Sequence, residues 1–253
     1  MQIVVMKEAV GTERRVALTP DAVVRLLKKD KTLSVTVEAD AGRAAGYMDE
    51  AYTAAGATVV KKWDKVAGDI LFRVTIPGLK EKLPLAEGGT LVVLTSGPDS
   101  WKPLAKEKWN VLALEKLPRT SRAQALDVLS SQANLGGYAA VLTAAQYWPR
   151  LMPMMTTAAG SSKPAQALVL GVGVAGLQAI ATAKRLGAQV QAFDVRPEVA
   201  EQIKSLGAKP VLLPMFTEAG EGGYAKALDA TQQKQLQEEL AKVIAGCDVV
   251  IST

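Results

Sequence analysis

The sequence predicts an α/β protein of two domains, each built on a mostly parallel sheet, with the second domain incomplete. Three observations carry this. Short apolar runs alternate with helical periodicities along the chain, the rhythm of βαβ units. The rhythm pauses once, around residues 130–150, and restarts. The second series then stops as its fourth strand begins, whereas a doubly wound domain of this kind usually has six. With 253 residues, 49% of them apolar, the chain can bury two cores.

The elements follow in order. Ile3–Met6 is a short apolar strand, and Pro20 and Asp21 open a helix through Lys28, with Ala22, Val23, Leu26 and Leu27 at helical spacing. Leu33–Glu38 alternates as a strand, and Asp49–Ala55 is a helix closed by Gly56. Ala57–Lys61, Ile70–Ile76, Thr90–Leu94 and Val111–Leu114 are further strands, each flanked by Gly, Pro or Asp. Asn134–Trp148 is a helix stopped by Pro149, which sets domains of residues 1–133 and 134–253. A Met-rich stretch, Leu151–Met155, leads into a loop, Thr156–Pro164. The second series reads Ala165–Leu170 strand, Gly176–Leu186 helix, Gln189–Phe193 strand, Val199–Leu206 helix and Lys209–Leu213 strand. Helix Gln232–Ile244 follows, and Asp248–Ser252 begins another strand where the sequence stops.

Composition narrows the function classes. The net charge of +5 is spread along the chain with no basic cluster among aromatics, so nucleic acid is not an expected partner. Cys247 is the single cysteine, which excludes an intrachain disulfide. The start, MQIVVMKEAVGTERR, has neither the apolar core of a signal peptide nor the acid-poor character of a transit peptide. No apolar run approaches the roughly 20 residues of a membrane-spanning helix, so a soluble chain is expected. No metal site is assigned. There is no histidine, which lowers the odds of dehydrogenase chemistry that moves a substrate proton together with a hydride.

The strand Ala165–Leu170 runs into Gly171-Val172-Gly173-Val174-Ala175-Gly176 and then a helix. A bare G-x-G-x-x-G is weak evidence; between a strand and a helix it is a dinucleotide fingerprint of a Rossmann-like domain. Gly171 allows the tight turn, Gly173 the approach of a pyrophosphate, and Gly176 close helix packing. The N–H groups at Val174 and Ala175 open the helix toward the phosphates. Asp194, with Val195 and Arg196 behind it, ends the next strand. An acid there accepts from the adenosine ribose and repels a 2′-phosphate, favouring NAD over NADP, although Arg196 could accommodate that phosphate. Downstream, Phe216–Tyr224 is glycine-rich: an ordinary surface loop, or a mobile lid whose Tyr224 folds over the nucleotide.

One stretch is unusually polar. Between Arg119 and Gln132, Arg, Gln, Asp and Ser recur among small and apolar residues, reading either as a cap-rich helix start or as a polar loop facing a cofactor.

Taken together, these motifs resemble the NAD(H)-binding component (domain I, alpha subunit) of proton-translocating NAD(P) transhydrogenases. The resemblance runs over essentially the whole chain and is most specific at Pro118–Tyr138, Met154–Gly160 and Gly171–Arg196. It implies two Rossmann-like domains and direct hydride transfer from NADH here to NADP+ on a separate NADP(H)-binding component. It also implies coupling by a membrane-spanning proton-channel component, a homodimer, and a peripheral position on the cytoplasmic face of a bacterial inner membrane. Arg119, Gln124, Asp127, Ser130 and Tyr138 match positions that the family places around the nicotinamide. The superfamily includes alanine dehydrogenases, which carry a substrate-binding Lys and a catalytic His in the first domain. Here the matching strand ends read Leu71-Phe72-Arg73-Val74 and Leu94-Thr95-Ser96-Gly97, with Arg73 in place of the Lys and no His. Arg15 then reads as a remnant anion site or a structural ion pair. An alanine dehydrogenase-like oxidoreductase and a non-catalytic NAD-binding module remain the alternatives.

Overall fold

Alternation along the first strand, β1 (Gln2–Val5), sets up the first core: Ile3 and Val5 enter one apolar cluster, Val4 and then Met6 another. A strand apolar on both faces belongs in the middle of a covered parallel sheet. The computed structural model, which describes residues 1–8, 13–63, 67–78, 81–95, 102, 104, 108–118, 120–213 and 230–253, places it there. The chain falls into two compact units, Met1–Val128 and Leu129–Thr253.

In the first unit β1 is followed by α1 (Pro20–Lys29), β2 (Ser34–Glu38), α2 (Asp49–Ala54), β3 (Thr58–Val60), β4 (Gly68–Phe72), β5 (Leu85–Val93) and β6 (Asn110–Ala113). All pairings are parallel and the order is β3-β2-β1-β4-β5-β6, that of a doubly wound fold. Thr19 caps α1 by accepting from the Ala22 N–H at 3.3 Å, and Pro20 occupies the first turn, where its missing N–H costs nothing. Tyr52 on α2 is buried and donates to Leu18 O at 2.9 Å; burial pushes its hydroxyl up to about 12. β4 ends at Phe72 rather than Ile76. The Glu8 carboxylate accepts the N–H groups of Val74 at 2.7 Å and Thr75 at 3.1 Å, so those donors leave the ladder.

A 3-10 turn at Ser121–Leu126 precedes α3 (Val128–Tyr147). This helix starts earlier than Asn134 and runs through position 133, so the end of the polar run is its first turn. In the second unit α3 is followed by β7 (Met155–Thr157), β8 (Gly160–Ser162), β9 (Gln166–Leu170), α4 (Val174–Arg185), β10 (Gln189–Phe193) and α5 (Ala200–Ser205). Then come β11 (Lys209–Pro210), α6 (Ala230–Ile244) and β12 (Val249–Ser252). The main sheet is parallel in the order β11-β10-β9-β12. Its core gathers Val169, Val190, Ala192, Val249 and Ile251 from the strands, Ala179, Ile180 and Ala183 from α4, and Val141 from α3.

Two further elements differ from the sequence expectation. The stretch expected as a loop holds the antiparallel hairpin β7–β8, turned at Gly160 with φ +132° and tied by the Met155 N–H donating to Ser162 Oγ at 3.1 Å. β11 spans only Lys209–Pro210, at the sheet edge where a proline is tolerated, and the Val211 N–H still donates to Ala192 O at 2.8 Å.

Candidate nucleotide-binding site

The three fingerprint glycines answer to different constraints. Gly171, at the end of β9, has φ +89°, and a Cβ there would lie 2.5 Å from Thr253 O. A Cβ on Gly176 would sit 1.9 Å from Gly171 O. Both are dictated by the chain's own packing. Gly173 has an ordinary extended backbone (φ −79°, ψ −164°), and a Cβ on it would meet nothing within 4 Å. Its lack of a side chain keeps a space open at the start of α4, which suits a pyrophosphate that must touch backbone.

α4 begins at that space with no side-chain cap on Gly173. Its first helical bond is Leu177 N–H to Gly173 O at 2.9 Å, so the N–H groups of Val174, Ala175 and Gly176 precede any intrahelical acceptor. These donors and the positive end of the helix dipole face the same point. β12 lies beside β9 on the side opposite β10, so the glycine turn sits where the strand order reverses, the usual ligand crevice of such sheets. Thr253 lies in that crevice, its N–H donating to Leu170 O at 2.9 Å and its Oγ1 to Gly171 O at 3.1 Å. Sequence motifs alone do not single out Thr253; the switch-point rule applied to the end of the fourth strand points to it.

A second residue missed from sequence is Gly137 on α3. A Cβ there would stand 2.0 Å from Ala175 O, so α3 and the first turn of α4 meet backbone to backbone. Asn134 Nδ2 donates to Gln178 Oε1 at 3.3 Å along the same seam. The adjacent pair Gly136-Gly137 inside a helix was the available signal, since each glycine weakens a helix and needs a packing reason.

Asp194 follows β10 with its side chain 7% exposed. Its Oδ2 accepts from Val172 N–H at 2.7 Å and Arg196 Nη2 at 3.0 Å; its Oδ1 accepts from Arg196 N–H and Arg196 Nε, both at 2.9 Å. Burial alone would raise this carboxyl, but these hydrogen bonds hold it below the ordinary carboxylate value. Val195 is half-buried between the two. Beyond the pair is a cavity of about 290 Å3 whose walls include Phe193, Val199, Ile203 and Leu213, with Asp194 and Arg196 as its charged lining. An apolar pocket of that size with a charged edge suits a flat heteroaromatic base.

The other expected residues divide between the units. Gln124 is exposed in the 3-10 turn and Asp127 is half-buried directly before α3, both in the first unit. Ser130 in the first turn of α3 and the exposed Tyr138 belong to the second. Arg119, Gly223 and Tyr224 lie outside the described residues. Among the described residues no group of three or more His, Cys, Asp or Glu is placed to hold a metal ion.

Comparison with known proteins agrees with this architecture. Residues 4–136 match the N-terminal domain model "Alanine dehydrogenase/PNT", and residues 140–253 match the C-terminal domain model of the same family. The chain belongs to the alanine dehydrogenase/PNT family. Over its full length it is 42% identical to an NAD(P) transhydrogenase alpha-subunit protein of Rickettsia prowazekii, covering 68% of that protein. It is also 42% identical to "NAD(P) transhydrogenase subunit alpha" of Haemophilus influenzae, of which it spans 50%. The crystal structure of transhydrogenase from Sinorhizobium meliloti superposes with a TM-score of 0.86 at 39% identity, covering all of this chain and 69% of that one.

Just past the end of β4 lies a buried charged cluster. Arg73 is fully buried, with Nη1 2.6 Å from Glu81 Oε1 and Nε 3.4 Å from Glu8 Oε2. Its Nε and Nη2 make no hydrogen bond. Arg15 pairs with Glu13 at 2.6 Å, and that hydrogen bond is the main reason the Glu13 carboxyl falls to about 2. Both guanidinium groups are therefore engaged by the chain's own carboxylates.

Proposed function

We propose that this chain is the NAD(H)-binding component of an NAD(P) transhydrogenase. It passes hydride between NADH and NADP+ held on a separate component, with a membrane component coupling the transfer to proton translocation. The observation that carries the reading is a contrast. Arg73, the cation just past the end of β4, is buried between Glu8 and Glu81, while the cradle at Gly173 remains open. Bound NADH supplies a hydride from its dihydronicotinamide ring; no proton leaves a substrate in that step, which suits a chain without histidine.

The residues then have positioning work. The N–H groups of Val174, Ala175 and Gly176 hold the pyrophosphate, Gly173 lets it approach, and Asp194 takes the adenosine ribose. Following the resemblance, Arg119, Gln124, Asp127, Ser130 and Tyr138 orient the nicotinamide so that its reacting face meets the partner's ring. By the same resemblance, Gly223 and Tyr224 belong to a loop that closes over bound nucleotide. Following the resemblance, the chain works as a homodimer held peripherally beside a membrane component, on the cytoplasmic face of a bacterial inner membrane. Among the described residues no helix is long and apolar enough to cross a membrane.

The test mixes the chain with a recombinant NADP(H)-binding component, NADPH and an oxidised NAD analogue, and follows the absorbance of the reduced analogue. Hydride exchange is expected. Formation of NADH from alanine and NAD+ would reassign the chain to the dehydrogenase branch. NADH binding without either activity would leave a binding module.

A further inference from the structure

An ionised carboxylate offers about four lone-pair positions to donors. At Asp194 all four are taken. Two donors, the N–H groups of Val172 and Arg196, are main-chain and hold the fingerprint turn against the end of β10. The other two, Nε and Nη2, belong to the Arg196 side chain, which is 33% exposed. Nη2 also donates to Val172 O at 3.3 Å, so the guanidinium lies across the acceptor edge that a ribose diol would need. The main-chain donors cannot leave without dismantling the turn; the side chain can rotate toward solvent.

We propose that Arg196 is a placeholder donor, which keeps the buried Asp194 satisfied and hands over two acceptor positions when a ribose diol arrives. The proposal rests on the reading of this site as one for NAD(H). Two consequences follow from the chemistry. Nucleotide binding must first break a bidentate, charge-assisted pair, which weakens affinity relative to an unobstructed Asp. The displaced guanidinium is also left beside the ribose, where it can meet a 2′-phosphate and offset some of the repulsion from Asp194. Arg196 thus weakens NAD(H) binding and blunts discrimination against the phosphorylated dinucleotide. Asp194 alone would do neither.

The experiment titrates the full chain with NADH and with NADPH by nucleotide fluorescence, comparing wild type, Arg196→Ala and Arg196→Lys. Removing the fork leaves Asp194 its two main-chain donors and two open positions. In Arg196→Ala, NADH should therefore bind about fivefold to tenfold more tightly and NADPH more weakly, widening the affinity ratio at least about tenfold. Arg196→Lys keeps the charge without the fork and should tighten NADH by a smaller factor, so it serves if the alanine variant folds poorly. Thermal melts in the absence of nucleotide provide a second readout: Arg196→Ala should melt lower than wild type yet gain more from added NADH. Wild-type binding of NADH with unchanged or weaker binding in both variants overturns the placeholder role alone. No NADH binding by any of the three overturns the nucleotide reading, and this inference with it.

Discussion

Two adjacent glycines in α3 should respond oppositely to the same substitution. An interior helical glycine is less favourable than alanine by about 1 kcal/mol, so alanine should stabilise wherever space allows. At Gly136 a Cβ meets nothing within 4 Å, and Gly136→Ala should gain about 0.5–1 kcal/mol, a rise in Tm of about 2–4 °C. At Gly137 the Cβ would stand 2.0 Å from Ala175 O, 2.8 Å from its carbonyl carbon and 3.0 Å from its Cα, against ordinary contact from 3.4 Å. All three atoms are backbone in the first turn of α4, so no side chain can move aside. Overpacking of this kind costs about 1–3 kcal/mol and should outweigh the helix gain, leaving Gly137→Ala destabilised by up to about 2 kcal/mol. Relief requires pushing the start of α4 away, and that turn carries the N–H groups assigned to the pyrophosphate. NADH affinity should therefore fall in Gly137→Ala and hold in Gly136→Ala. Thermal melts and fluorescence titration of the two variants make the comparison. Equal stabilisation of both would refute the backbone contact between α3 and α4.

Three further outcomes are expected. Gly173→Ala should cost less than about 1 kcal/mol of stability but lower NADH affinity tenfold or more, whereas Gly176→Ala, with its Cβ 1.9 Å from Gly171 O, should melt the second unit early. Paired melting and binding curves separate the two, and unaltered binding in Gly173→Ala would move the phosphate elsewhere. Arg73→Met leaves the buried Glu8 without its cation and should lower the stability of the first unit by about 3–5 kcal/mol, read by urea unfolding; a shift below about 1 kcal/mol would make the cluster incidental. Asp194 has a folded-state carboxyl below its ordinary value, so its contribution is complete above about pH 4 and disappears as pH falls through the lowered value. Asp194→Asn should flatten that acid limb; parallel acid limbs in the two proteins would show that the carboxylate contributes nothing there.

Much of the fold is legible because its signals are local. Apolar runs such as Val4 and Val5, or Leu168–Leu170, mark strands covered on both faces, and the glycine turn announces which strand opens the parallel sheet of the second unit. What escapes depends on partners distant in sequence. The end of β4 at Phe72 is decided by Glu8, whose carboxylate takes the donors of Val74 and Thr75. The hairpin at Met155–Ser162 has three-residue strands, too short for any alternation to show.

The site divides in the same way. The roles of Gly171 and Gly176 could be read from spacing because strand-turn-helix geometry demands them; Gly137 could not, since its need arises only where α3 meets α4. Asp194 is legible as an acid at a strand end, and Arg196 as a neighbour able to accommodate a 2′-phosphate. The hydrogen bonds between them supply what spacing leaves out. A guanidinium two residues from a carboxylate can point outward to a phosphate or curl back on the acid, and here it curls back onto both oxygens. A buried acid that sequence reads as waiting for a ribose is already saturated by its own neighbour. On the proposed reading, nucleotide preference at this site is a competition for Asp194 between Arg196 and a ribose diol, and it depends on the Arg196 side chain as much as on the acid.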